Sequence, residues 1–219
     1  MQEPASNFLR LFPLGALVLF PGMELPLTVF EPRYVQLTSE CTDAEEPFGV
    51  LLLKEGSEVG DQDVEPYEIG TTAHILNVTD AGQGRLSIMA VGGQRFRVRS
   101  FSHEHPYLAA EVEYLNDDSA ALVEPSLVAN VKDDAAAFVR ALMAMRGGFI
   151  RDVPLPDDPT SLSYQVAQFF QGDAAVQQRL LERGTFDRLW DELDLIKGAM
   201  RRVIRRERRQ GPGQSFSAN

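Results

Sequence analysis

The residues of this 219-residue chain that could do chemistry are few and scattered. His103 and His105 flank Glu104, a spacing that could bring two imidazoles to one metal ion. A metal site needs three or four ligands, and no nearby Cys or His completes this one, so the stretch reads as a turn. His74 falls in a strand pattern and reads as a packed or surface residue. Cys41, the single cysteine, could be a nucleophile, yet it falls at core spacing on a helix, where a free thiol behaves as a small hydrophobe. The acid pairs Asp117-Asp118, Asp133-Asp134 and Asp157-Asp158 read as caps and solvated faces, because adjacent acids rarely face one substrate bond. The only lysines are Lys54, Lys132 and Lys197, none in the setting of a catalytic dyad. No glycine is followed by lysine, so there is no G-x-x-x-x-G-K-[ST] phosphate loop. These residues point to a protein without catalysis, cofactor or metal.

Charges that could bind a partner stand out more. Glu31 and Arg33 are either polar contacts for a bound peptide or an ion pair that pins a strand-to-helix corner. Arg95, Arg97 and Arg99 form a stripe that could contact a backbone or phosphate, or is the solvated face of a strand. Residues 197–209 carry seven Lys or Arg against one Glu, a net +6, so the rest carries −17 of the −11 total. That segment, with Arg201, Arg202, Arg205 and Arg206, is either a contact for RNA or an acidic partner, or a helix end placed to suit its dipole.

The elements that must position these residues organise around residues 13–34, PLGALVLFPGMELPLTVFEPRY. Val18, Leu19 and Phe20 predict a short strand ended by the turn dipeptide Pro21-Gly22. Leu25, Leu27 and Val29 alternate with polar residues and predict a half-buried strand. Pro26 within it lacks a backbone donor and argues for an edge or a bulge. Glu31-Pro32 then fits a helix entry, with Tyr34, Leu37 and Cys41 at helical spacing.

Further along, residues 48–53 (FGVLLL) predict a strand buried on both faces, and 54–66 an acidic loop. Residues 69–78 and 85–91 predict strands around the hairpin signal DAGQG, with Gly92-Gly93 punctuating before a strand over 95–101. In that strand Phe96 and Val98 point inward and the arginines outward. Residues 107–115 alternate again. Strands at this spacing suggest a barrel or sandwich. Near Asn116 the period changes to about 3.6. Leu127, Val131, Ala135, Phe138, Leu142 and Met145 form one helix stripe, closed by Gly147-Gly148. Asp158-Pro159, Asp173 and Thr185 read as three further helix starts. The last helix carries Phe186, Leu189, Trp190, Leu193, Ile196, Met200, Val203 and Ile204 as its apolar stripe.

Several of these stretches coincide in one known pattern. Pro13-Leu14, Leu19-Phe20-Pro21-Gly22, Leu25-Pro26-Leu27 and Phe30-Glu31-Pro32-Arg33-Tyr34 resemble the opening of the Lon protease N-terminal, substrate-binding domain. Gly70-Thr71, GGQRF at 92–96, Pro106-Tyr107-Leu108, Glu111-Val112-Glu113 and Arg188-Leu189 continue the resemblance, which spans about residues 8–205. It implies an α+β fold: a PUA-like β pseudo-barrel over 8–115, then a helical subdomain over 116–209 with a long terminal helix. Residues 210–219, rich in glycine and serine, read as a disordered tail. It also implies a stand-alone binding module, since the family's ATPase and Ser-Lys protease motifs are not in the sequence. The expected partner is polypeptide, whether unfolded segments or a protease or chaperone, with Glu31, Arg33, Tyr34 and Arg95 as candidate contacts. The alternative is RNA, through the barrel and the basic helix. The acidic total argues against nucleic acid. The lone cysteine and the lack of a signal-peptide pattern or a ~20-residue apolar run suggest a cytoplasmic protein without a membrane span.

Overall fold

The computed structural model describes residues 7–54, 65–170 and 172–210, with the side chains of residues 118, 204 and 206–210 left aside. Most of the acidic 54–66 stretch and of the 210–219 tail therefore lies outside the described residues. The strands are β1 (Phe8–Leu14), β2 (Glu24–Val29), β3 (Phe48–Leu52), β4 (Ile69–Gly82), β5 (Arg85–Ser102) and β6 (Ala109–Tyr114). Helix α1 (Pro32–Ala44) separates β2 from β3. After β6 come a 3-10 turn at Asp118–Leu122, α2 (Pro125–Met145), α3 (Pro159–Ala167), α4 (Ala174–Glu182) and α5 (Thr185–Gln210). The fold is α+β: six strands with α1 among them, then the helices α2 to α5.

The sheet runs β2-β5-β4-β3-β1-β6, and β6 pairs back onto β5, which closes it. Only β1–β3 is parallel. Closure works because β5 is 18 residues long. Its first part pairs with β2 and its last part with β6. Inside, Leu9, Leu11, Leu51, Phe96, Val98, Ala110 and Val112 form the apolar filling. Strand β2 pairs only with β5, so Pro26 stands on an edge strand, where a residue without an N–H is tolerated.

Two expectations fail here, each for a physical reason. The first strand is Phe8–Leu14, not 18–20. Val18, Leu19 and Phe20 are buried as an irregular segment, because three consecutive apolar side chains sink between the barrel and the helices. The Gly92-Gly93 pair does not break β5. The register slips there instead, from Ala73 opposite Gly92 to Thr71 opposite Arg95. Glycine serves a close approach: a Cβ on Gly92 would lie 2.1 Å from the Phe20 carbonyl oxygen. Gly22 N–H donates to Gly92 O and Gly92 N–H to Met23 O, both at 2.8 Å, which ties the irregular segment to the strand.

In the helical part α2 buries Leu127, Val131, Ala135 and Phe138 against Leu162 and Val166 of α3 and Leu189, Leu193 and Ile196 of α5. Asp158 caps α3, accepting from Ser161 N at 2.8 Å, and Asp173 caps α4, accepting from Val176 N at 3.0 Å. The expected Thr185 cap is replaced. Ser119 Oγ accepts from Phe186 N at 3.3 Å, while the Thr185 hydroxyl turns to Asp117. Trp190 is 50% exposed, off the buried stripe, because Leu189 and Leu193 take the centre of that face and Trp190 lies about 100° around the helix from Leu189. A cluster of Val18, Phe20, Leu52 and Ile69 with Tyr164, Ala167, Leu180 and Leu181 joins barrel and helices.

Candidate functional site

The barrel and the helices meet at one half-buried carboxylate. Asp117 follows β6, and Arg95 reaches it from β5 with Nη2 at 2.8 Å from Oδ1. Arg188, from the first turn of α5, brings Nη2 to 3.1 Å from the same oxygen. Tyr164 of α3 donates its hydroxyl to Asp117 Oδ2, and Thr185 donates to Oδ1 at 3.2 Å. Most of the remaining donors go to backbone and hydroxyl, while the buried Arg95 Nε has no partner. Arg95 Nη1 donates to the carbonyls of Leu181 at 2.7 Å and Arg183 at 2.8 Å. Arg188 donates to Ser163 Oγ at 2.9 Å and Arg183 O at 3.1 Å. The Arg188 guanidinium stacks 3.9 Å from the centre of the Tyr164 ring. Burial pushes the Tyr164 phenol up to about 12.

This arrangement corrects the reading of Arg95. It points away from the barrel filling as alternation requires, but the helices cover that face and leave it 3% exposed. Arg97 and Arg99 stay exposed, and Arg99 pairs with Glu113. Arg95 is thus spent on holding the two parts together rather than displayed to a ligand. Asp117, read as a cap or a solvated acid, is the centre of the network. Its signal was faint: Arg188 and Glu192 interrupt the apolar side of α5 one turn apart, and charges there call for buried partners. Arg188 and Glu192 are both fully buried. Neither Glu192 oxygen has a hydrogen-bond partner, and burial pushes its carboxyl well above the usual range.

Beside this network a cleft of about 560 Å³ opens between the two parts. Pro21 and Gly22, on the loop before β2, line one side; Pro156, Thr160, Ser161, Tyr164, Gln165 and Gln168 line the other. Its lining holds hydroxyls, amides, two prolines and a ring, and no charged side chain. Such a surface suits an uncharged stretch of polypeptide, with backbone groups to satisfy and apolar side chains to cover.

At the strand-to-helix corner Arg33 meets Glu31, with Nη2 2.8 Å from Oε2. The Arg33 guanidinium lies 4.7 Å from the Tyr34 ring centre, and Tyr34 stacks on Phe12 at 4.1 Å. Tyr34 is buried, so it supports the corner from below. Phe30, beside the pair and 65% exposed, is the aromatic on display there, and it is not among the contacts expected from the sequence. On the carboxy-terminal half of α5, Arg201, Arg202 and Arg205 are exposed, while the Arg206 side chain is outside the described residues.

The other residues considered for chemistry have structural surroundings. His105 stacks on Tyr107 with ring centres 5.3 Å apart. Among the described residues no group of three His, Cys, Asp or Glu converges as a metal site would need. Cys41 is buried, and burial pushes its thiol up to about 11. Lys132 pairs with Asp157. No helix among the described residues is long and apolar enough to cross a membrane.

Comparison with known proteins gives one family. Lon protease of Methylocella silvestris is 27% identical over 182 residues, covering 82% of this chain and 22% of the protease. Lon protease of Anaeromyxobacter dehalogenans is 31% identical over 118 residues, covering 54% of this chain and 14% of the protease. The chain thus spans about a fifth or less of the length of these relatives. Among solved structures, a Lon N-terminal domain protein from Xanthomonas campestris superposes with a TM-score of 0.64 at 25% identity, covering 85% of this chain and 97% of that one. The N-terminal domain of Mycobacterium avium complex Lon protease has the same fold, with a TM-score of 0.64 at 14% identity over 87% of this chain and 98% of that one. The model of the ATP-dependent protease La (LON) substrate-binding domain matches residues 9–197, so the chain belongs to that family.

Proposed function

We propose that this chain is a non-catalytic polypeptide-binding module that holds unfolded segments, or a protease or chaperone partner, in the cleft between barrel and helices. One observation carries the reading: a member of a substrate-binding family has an open, uncharged cleft where its two parts meet. The corner with Glu31, Arg33 and the exposed Phe30 is a second contact, at the end of the β2 edge strand. In this reading the barrel is residues 8–115, the helical subdomain 116–209, and a cytoplasmic setting suits the lone buried cysteine.

The experiment is a titration of labelled, unfolded casein at low and moderate salt, with ATP hydrolysis and casein cleavage followed alongside. The expected result is weak binding that changes little with salt, is lost on Ser161→Arg in the cleft wall, and comes without turnover. An RNA-binding reading rests on the exposed Arg201, Arg202 and Arg205. It requires log K for single-stranded RNA to fall by about 0.7 per phosphate contact with log salt, and that slope to vanish in a chain ending at Ile204. Casein binding unaffected by Ser161→Arg would remove the cleft from the reading.

A further inference from the structure

We infer that the carboxy-terminal half of α5 and its groove against α2 form a docking surface for an acidic amphipathic helix of a partner protein. Lys197, Arg201 and Arg205 are exposed at four-residue spacing, so they form one stripe, with Arg202 beside it. Among the described residues none of these four makes an ion pair, although the chain outside 197–209 carries −17. The acids among the described residues form no ion pair with this stripe. Next to it lies a groove of about 390 Å³ lined by Ile196, Met200 and Ala137, with Lys197 and Arg201 on its rim and Asp134 on the α2 wall.

An apolar groove edged by unpaired cations is complementary to a helix with apolar side chains on one face and carboxylates beside them. Single-stranded RNA fits less well. No aromatic ring lines the groove to stack a base. The exposed Trp190 lies on the same helix, but its neighbours Asp187, Asp191 and Asp194 repel a phosphate chain. This surface is separate from the cleft at Pro21 and Tyr164 and does not depend on it.

The test uses a fluorescein-labelled peptide with leucine at heptad a and d positions and glutamate elsewhere. Controls are the same peptide with lysine for glutamate, the same with serine for leucine, and a labelled uridine oligomer. The Glu/Leu peptide is expected to bind about tenfold or more tighter than either control peptide, and to weaken as salt shortens the Debye length from about 14 Å to about 6 Å. Lys197→Glu with Arg201→Glu and Arg205→Glu abolishes its binding, and so does Ala137→Glu, which puts a carboxylate in the groove. All of these positions are exposed, so the fold is preserved, with thermal melting as the check. Casein binding at the cleft is unchanged in these variants, and Ser161→Arg leaves peptide binding unchanged, so failure of one surface is told apart from failure of the other. Tighter binding of the uridine oligomer than of the Glu/Leu peptide overturns the inference. So does peptide binding that survives the charge reversals, or equal binding of the lysine or serine versions.

Discussion

Arg95 and Arg188 converge on a single oxygen of Asp117, at 2.8 and 3.1 Å, one reaching from the barrel and the other from the last helix. Two buried guanidiniums on one carboxylate leave a net positive centre. The carbonyls of Leu181 and Arg183 and the face of Tyr164 offset it. The network therefore specifies how barrel and helices meet more than it adds raw stability, since burying charge is itself costly.

Removing the carboxylate should expose that cost. Asp117→Ala leaves two buried arginines without their anion, and the expected loss is about 3–5 kcal/mol of unfolding free energy. Urea denaturation followed by far-ultraviolet circular dichroism checks it. A loss below about 1 kcal/mol, the range of exposed ion pairs, would show that the network is not desolvated as described.

Glu192 predicts a pH dependence of the opposite kind from most acids. Burial raises its carboxyl well above the ordinary value of about 4.3 for a free glutamate, partly countered by Arg188, while the neighbouring Asp191 raises it further. Below that value it is protonated both folded and unfolded. As pH rises, the unfolded chain releases the proton first, so the folded state binds more protons and stability falls. The slope approaches about 1.4 kcal/mol per pH unit until the folded group ionises. Glu192→Gln should flatten this slope and be more stable than the parent at neutral pH. Parallel stability curves for parent and variant from pH 5 to 7 would rule the protonated carboxyl out.

Much of the fold was legible because local signals agreed. Period two over the later part of β5, the glycine-rich hairpin between β4 and β5, the α2 stripe and the caps Asp158 and Asp173 each point to the element that forms. The junction was not legible. Alternation places Arg95 outside the barrel correctly, but only the tertiary arrangement puts helices on that face. Trp190 shows the same limit, since a hydrophobic type on a helix does not say whether its edge of the stripe is covered. The cleft unites residues 21–22 with 156–168, a sequence distance over which no spacing rule operates.

Gly92→Ala should destabilise through backbone contact. The added methyl would meet the Phe20 carbonyl at 2.1 Å, and both groups are held by the hydrogen bonds around residues 20–23. Relief requires the buried 18–20 segment to shift, so a loss of about 1–3 kcal/mol is expected, in the range of overpacked cores. A neutral thermal melt would mean that this segment moves freely.

Tyr164 connects the junction to the cleft, and two substitutions separate its roles. Its hydroxyl donates to Asp117, and its ring lies under Arg188, contacts Phe20 at 6.4 Å between centres and lines the cleft. Tyr164→Phe removes only the donor. Asp117 keeps Arg95, Arg188 and Thr185, so about 1.5–3 kcal/mol of stability is lost, the scale of a hydrogen bond to a charged group. The cleft keeps its shape, and casein binding should stay within about twofold of the parent, less than 0.5 kcal/mol. Tyr164→Ala removes the ring as well. It should cost about 3–5 kcal/mol and weaken casein binding, because the cleft wall is lost along with the packing. Calorimetry gives the first quantity and fluorescence titration below the melting transition the second. If Tyr164→Ala stays folded and binds casein as the parent does, polypeptide is held elsewhere, and the corner at Phe30 becomes the surface to test.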